Sequence, residues 1–138
     1  MKYIGLDLGT KTLGIAISDR LGIIASPYKV LRFSNTEEII PELKSIIDTN
    51  EISIIVLGLP LNMNNTAGES VRRTEEFKKK IENIFSLPIF FQDERLSTRQ
   101  AEGILIEADV SRKKRKKIID KMAAVIILQT YLDRKKGD

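Results

Sequence analysis

The chain is 138 residues long, the size of one ordinary domain; it is 42% hydrophobic and 30% charged, and it has no Cys, no His and no Trp. Those zeros exclude a disulfide framework, a thiolate nucleophile, a Ser-His-Asp triad and any zinc site built on Cys or His. Catalysis in such a chain falls to carboxylates, Lys/Arg, hydroxyls or an oxygen-bound hard cation such as Mg²⁺.

Tyr3–Leu8 and Leu13–Ser18 read as two strands joined by the turn-rich tetrad Gly9–Thr12. After the turn at Asp19–Gly22, a third strand is expected over Ile23–Phe33, and short turns make all three antiparallel neighbours. The period then changes. Asn35 or Thr36 caps a helix expected through Asp48, with Ile39, Ile40, Leu43, Ile46 and Ile47 on one face and Pro41 early, where its missing N–H costs least. Ile52–Leu57 is an apolar run suited to a strand covered on both faces, and Gly58–Asn65 reads as a loop. Thr66–Glu69 has the form of a capping box for a helix through Phe85. A fifth strand follows at Leu87–Gln92, then a second capping box at Ser97–Gln100 opening a helix through Ala108. A basic stretch leads into a last helix ending near Arg134. The order β-β-β-α-β-α-β-α-α predicts an α/β domain spanning 1–138: a mixed five-stranded sheet, three antiparallel strands then two parallel, with helices on both faces.

The N-terminus does not read as a signal peptide, because Asp7 arrives before an apolar run is long enough, and no stretch approaches the roughly 20 apolar residues of a membrane span. A soluble, cytoplasmic protein is expected. The net charge of +4 is unevenly spread. Ser111–Lys136 holds ten basic residues against Asp120 and Asp133, a local +8 that leaves −4 for the remainder. This asymmetry suits a polyanionic partner, although a solvated helix end has the same composition.

Three acids stand where chemistry is expected. Asp7 shares a strand face with Tyr3 and Gly5 near the strand's end, where an ionised carboxylate needs a cation or hydrogen-bond donors; capping the Gly9–Thr10 turn is the plainer role. Glu94 or its neighbour Asp93 ends the fifth strand, and if strands one and five are parallel neighbours their C-terminal ends bring Asp7 to one of this pair. A surface pairing with Arg95 or Arg99 is the structural alternative. Asp120 falls early in the expected last helix, on one face with Ala123, Ala124, Ile127 and Tyr131, whose small members let the helix approach the sheet. A cluster of such acids repels itself unless divalent cations intervene, and paired cations held by carboxylates hydrolyse phosphodiesters without His or Cys.

Five segments in order, DLGTKTLGIAISD (Asp7–Asp19), GLPLNM (Gly58–Met63), DERLST (Asp93–Thr98), SRKKRKK (Ser111–Lys117) and DKMAAVIILQ (Asp120–Gln129), resemble the YqgF/RuvX family over essentially the whole chain. The resemblance implies an RNase H-like fold and a nuclease maturing the 5′ end of pre-16S rRNA, or a Holliday junction resolvase acting on branched DNA. It implies Asp7, Glu94 and Asp120 as catalytic, metal-binding acids and dependence on Mg²⁺ or Mn²⁺. It further implies nucleic acid as partner, precursor ribosomal RNA or branched DNA, with the ribosome as a further partner. Where members often read Asp-Gly after Asn-Met, this chain has Asn64-Asn65, a pair able to make the same tight turn.

Lys11 in the first turn, Asn62 in the amide-rich loop, Arg95, and the run Arg112, Lys113, Lys114, Arg115, Lys116 and Lys117 are the expected nucleic-acid contacts, supplying affinity rather than sequence information. With three Tyr and five Phe, base stacking is not the evident recognition mode. Nothing marks an isologous interface, so a monomer or weak dimer is expected. Two further readings are open: a non-catalytic RNA-binding assembly factor, and an actin-like ATPase or sugar kinase, whose phosphate loop also begins Asp-Leu-Gly-Thr. Length weighs against the latter, which binds nucleotide between two such domains.

Overall fold

The computed structural model describes residues 1–61 and 68–136. The strands are β1 (Tyr3–Leu8), β2 (Thr12–Ser18), β3 (Ala25–Arg32), β4 (Ile54–Leu59) and β5 (Ile89–Asp93). The helices are α1 (Ile40–Thr49), opened by a 3₁₀ turn at Thr36–Ile39, α2 (Glu69–Glu82), α3 (Glu94–Glu107), α4 (Arg112–Lys121) and α5 (Ala123–Lys136). They build one sheet in the order β3-β2-β1-β4-β5. β1, β2 and β3 pair antiparallel, while β4 runs parallel to both β1 and β5. None of the described helices is long and apolar enough to cross a membrane.

Alternation along the strands sorts side chains into two cores. Ile4, Leu6 and Leu8 of β1, with Leu13, Ile15 and Ile17 of β2, pack on one face with Leu43, Ile46 and Ile47 of α1 and Phe77 and Ile81 of α2. On the other face Tyr3, Ala16, Ile54 and Val56 meet Ala124, Ile127, Leu128 and Leu132 of α5. The sheet is therefore covered by helices on both faces, as the element order predicts. Gly5 lets α5 come close: a β-carbon there would stand 2.6 Å from Leu128 Cβ and 3.1 Å from the Ala124 carbonyl oxygen.

Four local expectations are corrected. First, β4 intervenes between β1 and β5, so strands one and five are not neighbours. Second, α3 starts directly at Glu94, not at the Ser97 box. The Asp93 side chain caps it by accepting from the Arg95 N–H (2.9 Å), and the buried Ser97 hydroxyl turns back to the Asp93 carbonyl (3.3 Å). Third, α2 begins at Glu69 with Gly68 as its N-cap, placing Glu69 at the first helical position rather than the third; Thr66 lies outside the described residues. Fourth, the basic stretch is itself a helix, α4, capped by the Ser111 hydroxyl, which accepts from the Lys114 N–H (3.4 Å). The chain breaks at Met122 (φ −105°, ψ 17°), because α5 must lie along the sheet while α4 buries no residue. Asp120 consequently sits in the last turn of α4, not early in the final helix.

Candidate active site

β1, β4 and β5 are mutually parallel, so their C-terminal ends open on one rim, where open α/β sheets place ligands. Asp7, one residue from the end of β1, lies opposite Gly14 of β2, whose missing side chain leaves it room on the α5 face. The adjacent turn is closed by its own backbone, the Gly9 N–H donating to the Thr12 carbonyl (2.8 Å). Burial pushes the Asp7 carboxyl up from its ordinary range.

Of the pair Asp93 and Glu94, the structure separates the roles. Asp93 binds Arg95 (2.7 Å), and this guanidinium, ahead of any other influence, holds its carboxyl below the usual range. Glu94, first residue of α3, leans back over β4, its Oε2 lying 3.0 Å from where a Gly58 β-carbon would be. Its carboxyl is pushed up to about 7, first by burial, then by the negative charges of Asp7 and Asp93. Asp7 and Glu94 thus act on each other electrostatically across the intervening strand. A loss of side chain in β4 replaces the strand adjacency expected from sequence.

Asp120 approaches from the other side. It borders, with Asp7, Gly14, Tyr28 and Ala124, a groove of about 460 Å³ between β2–β3 and the α4–α5 break. It also ends a cleft of about 890 Å³ between α3 and α4, lined by Thr98, Glu102 and five of the six basic residues, Arg112, Lys113, Arg115, Lys116 and Lys117. Thr98 and Glu102 continue into a hollow of about 380 Å³ that contains Glu94 and Arg99. Acids and cations therefore line adjoining depressions along one rim. Among the described residues, no group of three or more acids is close enough to hold one metal ion. Asp7 and Glu94 are electrostatically coupled across β4, and Asp120 stands off at the end of α4.

The remaining expected contacts divide. Lys11 is exposed in the β1–β2 turn on the same rim. Arg95 is engaged by Asp93, and Arg115 donates from Nη1 to the Val110 carbonyl (2.9 Å), bracing the α3–α4 connection while bordering the cleft. Lys114 is exposed outside the cleft lining, and Asn62 lies outside the described residues. Sequence reasoning missed Gly58, read there as the start of a loop. An isolated glycine inside a strand signals close approach by another group, but only once the strand is known to extend to Leu59. It also missed Thr98 and Glu102, which one turn of α3 places side by side on the cleft.

The family model described as "RuvX: Holliday junction resolvase" matches residues 1–134. A protein of Geobacillus sp. (strain WCH70), named "Putative pre-16S rRNA nuclease", is 53% identical over 137 residues, covering 98% of this chain and 99% of its own. One of the same name from Oceanobacillus iheyensis is 50% identical over 140 residues, covering 98% and 100%. Among solved structures, Thermus thermophilus RuvC superposes with a TM-score of 0.62 at 13% identity, covering 99% of this chain and 97% of that one. The fowlpox virus Holliday junction resolvase does so at 0.51 and 12%, covering 97% and 99%. At these identities the likeness concerns the fold, which is RNase H-like. With nearly the whole chain matched at about half identity, the protein belongs to the RuvX/YqgF family.

Proposed function

We propose that this protein is a divalent-metal-dependent endonuclease that matures the 5′ end of pre-16S rRNA in the cytoplasm, with Asp7, Glu94 and Asp120 as its catalytic acids. The observation that carries this reading is the Asp7–Glu94 pair at the strand rim, with the Glu94 carboxyl pushed up to about 7 beside a basic cleft. The names of the 53% and 50% identical relatives support the choice of substrate.

The residues fit a hard divalent cation, Mg²⁺ or Mn²⁺. The donors are carboxylate oxygens only, and the charge repulsion felt at Glu94 is what a cation relieves. Mg²⁺ is commonly held by one or two carboxylates together with substrate phosphates, so Asp7 and Glu94 would seat it, while Asp120, which stands off at the end of α4, would reach it only through the bound substrate or water. When bound, such a cation supplies Lewis acidity at the scissile phosphodiester.

The chain's own residues do the rest. Lys113, Lys116 and Lys117, with Arg112 and Arg115 beside them, hold the phosphate backbone along the cleft and lead it to Asp120. Helix α3 starts without a loop after β5, so Glu94 is positioned by the sheet itself rather than by a mobile segment. Only an ionised Glu94 can take part in seating the cation, so cation binding would release its proton and strengthen as pH rises.

The test is cleavage of precursor small-subunit ribosomal RNA by the purified chain with Mg²⁺, with Mn²⁺ and with chelator. Asp7→Asn, Glu94→Gln and Asp120→Asn are each expected to lower turnover by roughly a hundredfold or more while the circular dichroism spectrum is unchanged. Full activity in all three variants defeats the assignment, and binding without cleavage by the parent supports a non-catalytic assembly factor instead. The family model's description favours one second reading, cleavage of branched DNA. Under it, a four-way junction is cut at two symmetric positions and the active form is a dimer rather than a monomer.

A further inference from the structure

Three of the chain's few aromatic rings gather on the α5 face of the sheet, towards the N-terminal ends of β1 and β5 and away from the rim. Phe90 stands on β5, which is an edge strand paired only with β4. The residue is 44% exposed, yet its ring lies 6.0 Å from that of Tyr131 on α5, with planes 23° apart. Tyr131 in turn meets Tyr3 at 6.0 Å, tilted by 54°. Lys135 closes the row: its Nζ sits 4.8 Å from the centre of the Tyr3 ring and donates to the Tyr3 hydroxyl. A groove of about 480 Å³ runs here, with Phe90, Gln92, Tyr131, Arg134 and Lys135 among its lining residues.

Two features say what this groove takes. Its aromatic surface has one partner, Tyr131, and leaves much of Phe90 open, an arrangement that accepts a flat apolar ring by stacking. Its polar members include two cations, Arg134 and Lys135, and no acid is among its described lining residues. A second copy of this chain meeting the groove through a two-fold axis would set these cations against themselves. A planar ring carried on a polyanion satisfies both features, and that is an unpaired nucleotide. Paired bases expose no ring face, so a duplex does not use this surface. The groove leads along β5 towards the candidate active site: Gln92 precedes Asp93 in β5, and Arg134 acts electrostatically on the Asp93 carboxylate.

We propose that the Phe90–Tyr131 groove is a single-strand subsite, in which an unpaired segment of the nucleic acid stacks a base on Phe90 while Arg134 and Lys135 take its phosphates. The proposal rests on the nuclease reading for its polymer and adds the strand form that the protein grips. It places the unpaired strand along β5, on the same sheet face as the acids of the candidate site.

The experiment uses the full chain and two RNA probes, a blunt duplex and the same duplex with an unpaired tail of mixed sequence. The parent is expected to bind the tailed probe at least about fivefold more tightly, the advantage of stacking one base on an aromatic ring. Phe90→Leu, which keeps an apolar side chain at an exposed position, and Arg134→Gln should each bring that ratio close to one. Because the chain has no Trp, Phe90→Trp provides a single fluorescent reporter, quenched on adding the tailed probe and silent to the blunt one. A parent with no tail preference, a ratio unchanged in Phe90→Leu, or self-association that Phe90→Leu abolishes overturns the proposal. Failure of the two readings is distinguishable. Cleavage of precursor RNA without tail preference removes the subsite alone, whereas tail preference without any cleavage removes the nuclease and leaves the subsite standing.

Discussion

The Glu94 carboxylate rests on Gly58: its Oε2 is 3.0 Å, and its Cγ 3.1 Å, from the point a β-carbon of that glycine would occupy. Gly58 lies on β4, the strand between β1, which carries Asp7, and β5, which leads into Glu94, so a larger residue at 58 would displace the Glu94 carboxylate. The third neighbour of that point, Ile127 Cδ1 at 2.6 Å, is the far end of a side chain able to rotate away.

Gly58→Ala therefore acts on position more than on stability. The added methyl reduces the entropy of the unfolded chain, which offsets part of the crowding against Ile127. The melting temperature should change little. Cleavage should fall by roughly 10–100-fold, the usual consequence of displacing a reacting group by a fraction of an ångström to an ångström. Thermal denaturation beside a turnover assay checks the pair of outcomes; a parallel loss of both would mean that Gly58 serves packing alone.

The raised Glu94 carboxyl carries a stability consequence with a definite sign. An unfolded glutamate ionises near its ordinary 4.5, while the folded one ionises at about 7, so the folded state holds the extra proton between these values. Stability in chelator is thus greatest below about pH 4.5 as far as this group is concerned, and is lost as pH rises through 7. At pH 8 Glu94→Gln, which is never charged, should be more stable than the parent by roughly 2–3 kcal/mol, and the difference should vanish by about pH 4.5. Added Mg²⁺ should stabilise the parent but not the variant. Urea titrations across pH, with and without the cation, decide this; equal stability of parent and variant at pH 8 would show that the carboxyl is not strained.

The basic cleft predicts a salt signature. Lys113, Lys116 and Lys117 border it, whereas Lys114 is exposed outside its lining. Replacing the first three with Ala should weaken nucleic-acid binding and reduce the slope of log K against log salt by about 0.7–0.9 per lost phosphate contact. Lys114→Ala should leave that slope nearly unchanged. Binding isotherms at several salt concentrations separate the two, and equal slopes for both variants would assign the whole run to solvent.

Gly5 tests how tightly α5 is held to the sheet. A β-carbon there meets Leu128 Cβ at 2.6 Å and the Ala124 carbonyl at 3.1 Å, and neither atom lies at the end of a flexible side chain. Gly5→Ala must lift the helix, at a cost of about 1–3 kcal/mol for overpacking. Denaturant unfolding measures it. Since α5 continues from the Met122 break beside Asp120, activity should fall as well.

Period alone determined much of this protein. Alternation in β1 put Asp7 with Tyr3 and Gly5 on one face and Ile4, Leu6 and Leu8 on the other, and the structure has both sets so. The absence of His and Cys, and a +8 segment near the C-terminus, already pointed to carboxylates and phosphate. Helix starts were less legible, because capping residues are common: Asp93 outcompeted Ser97 by sitting where the strand ends, with Arg95 to hold its charge. Tertiary structure alone decided which acid faces the rim, that Gly58 makes space for it, that the chain breaks at Met122, and that Phe90, Tyr131 and Tyr3 form one row. The physical reason is range. Periodicity and capping are interactions among near neighbours in the chain, whereas a carboxylate's burial and the meeting of β5 with α5 depend on strand order, which no local pattern encodes.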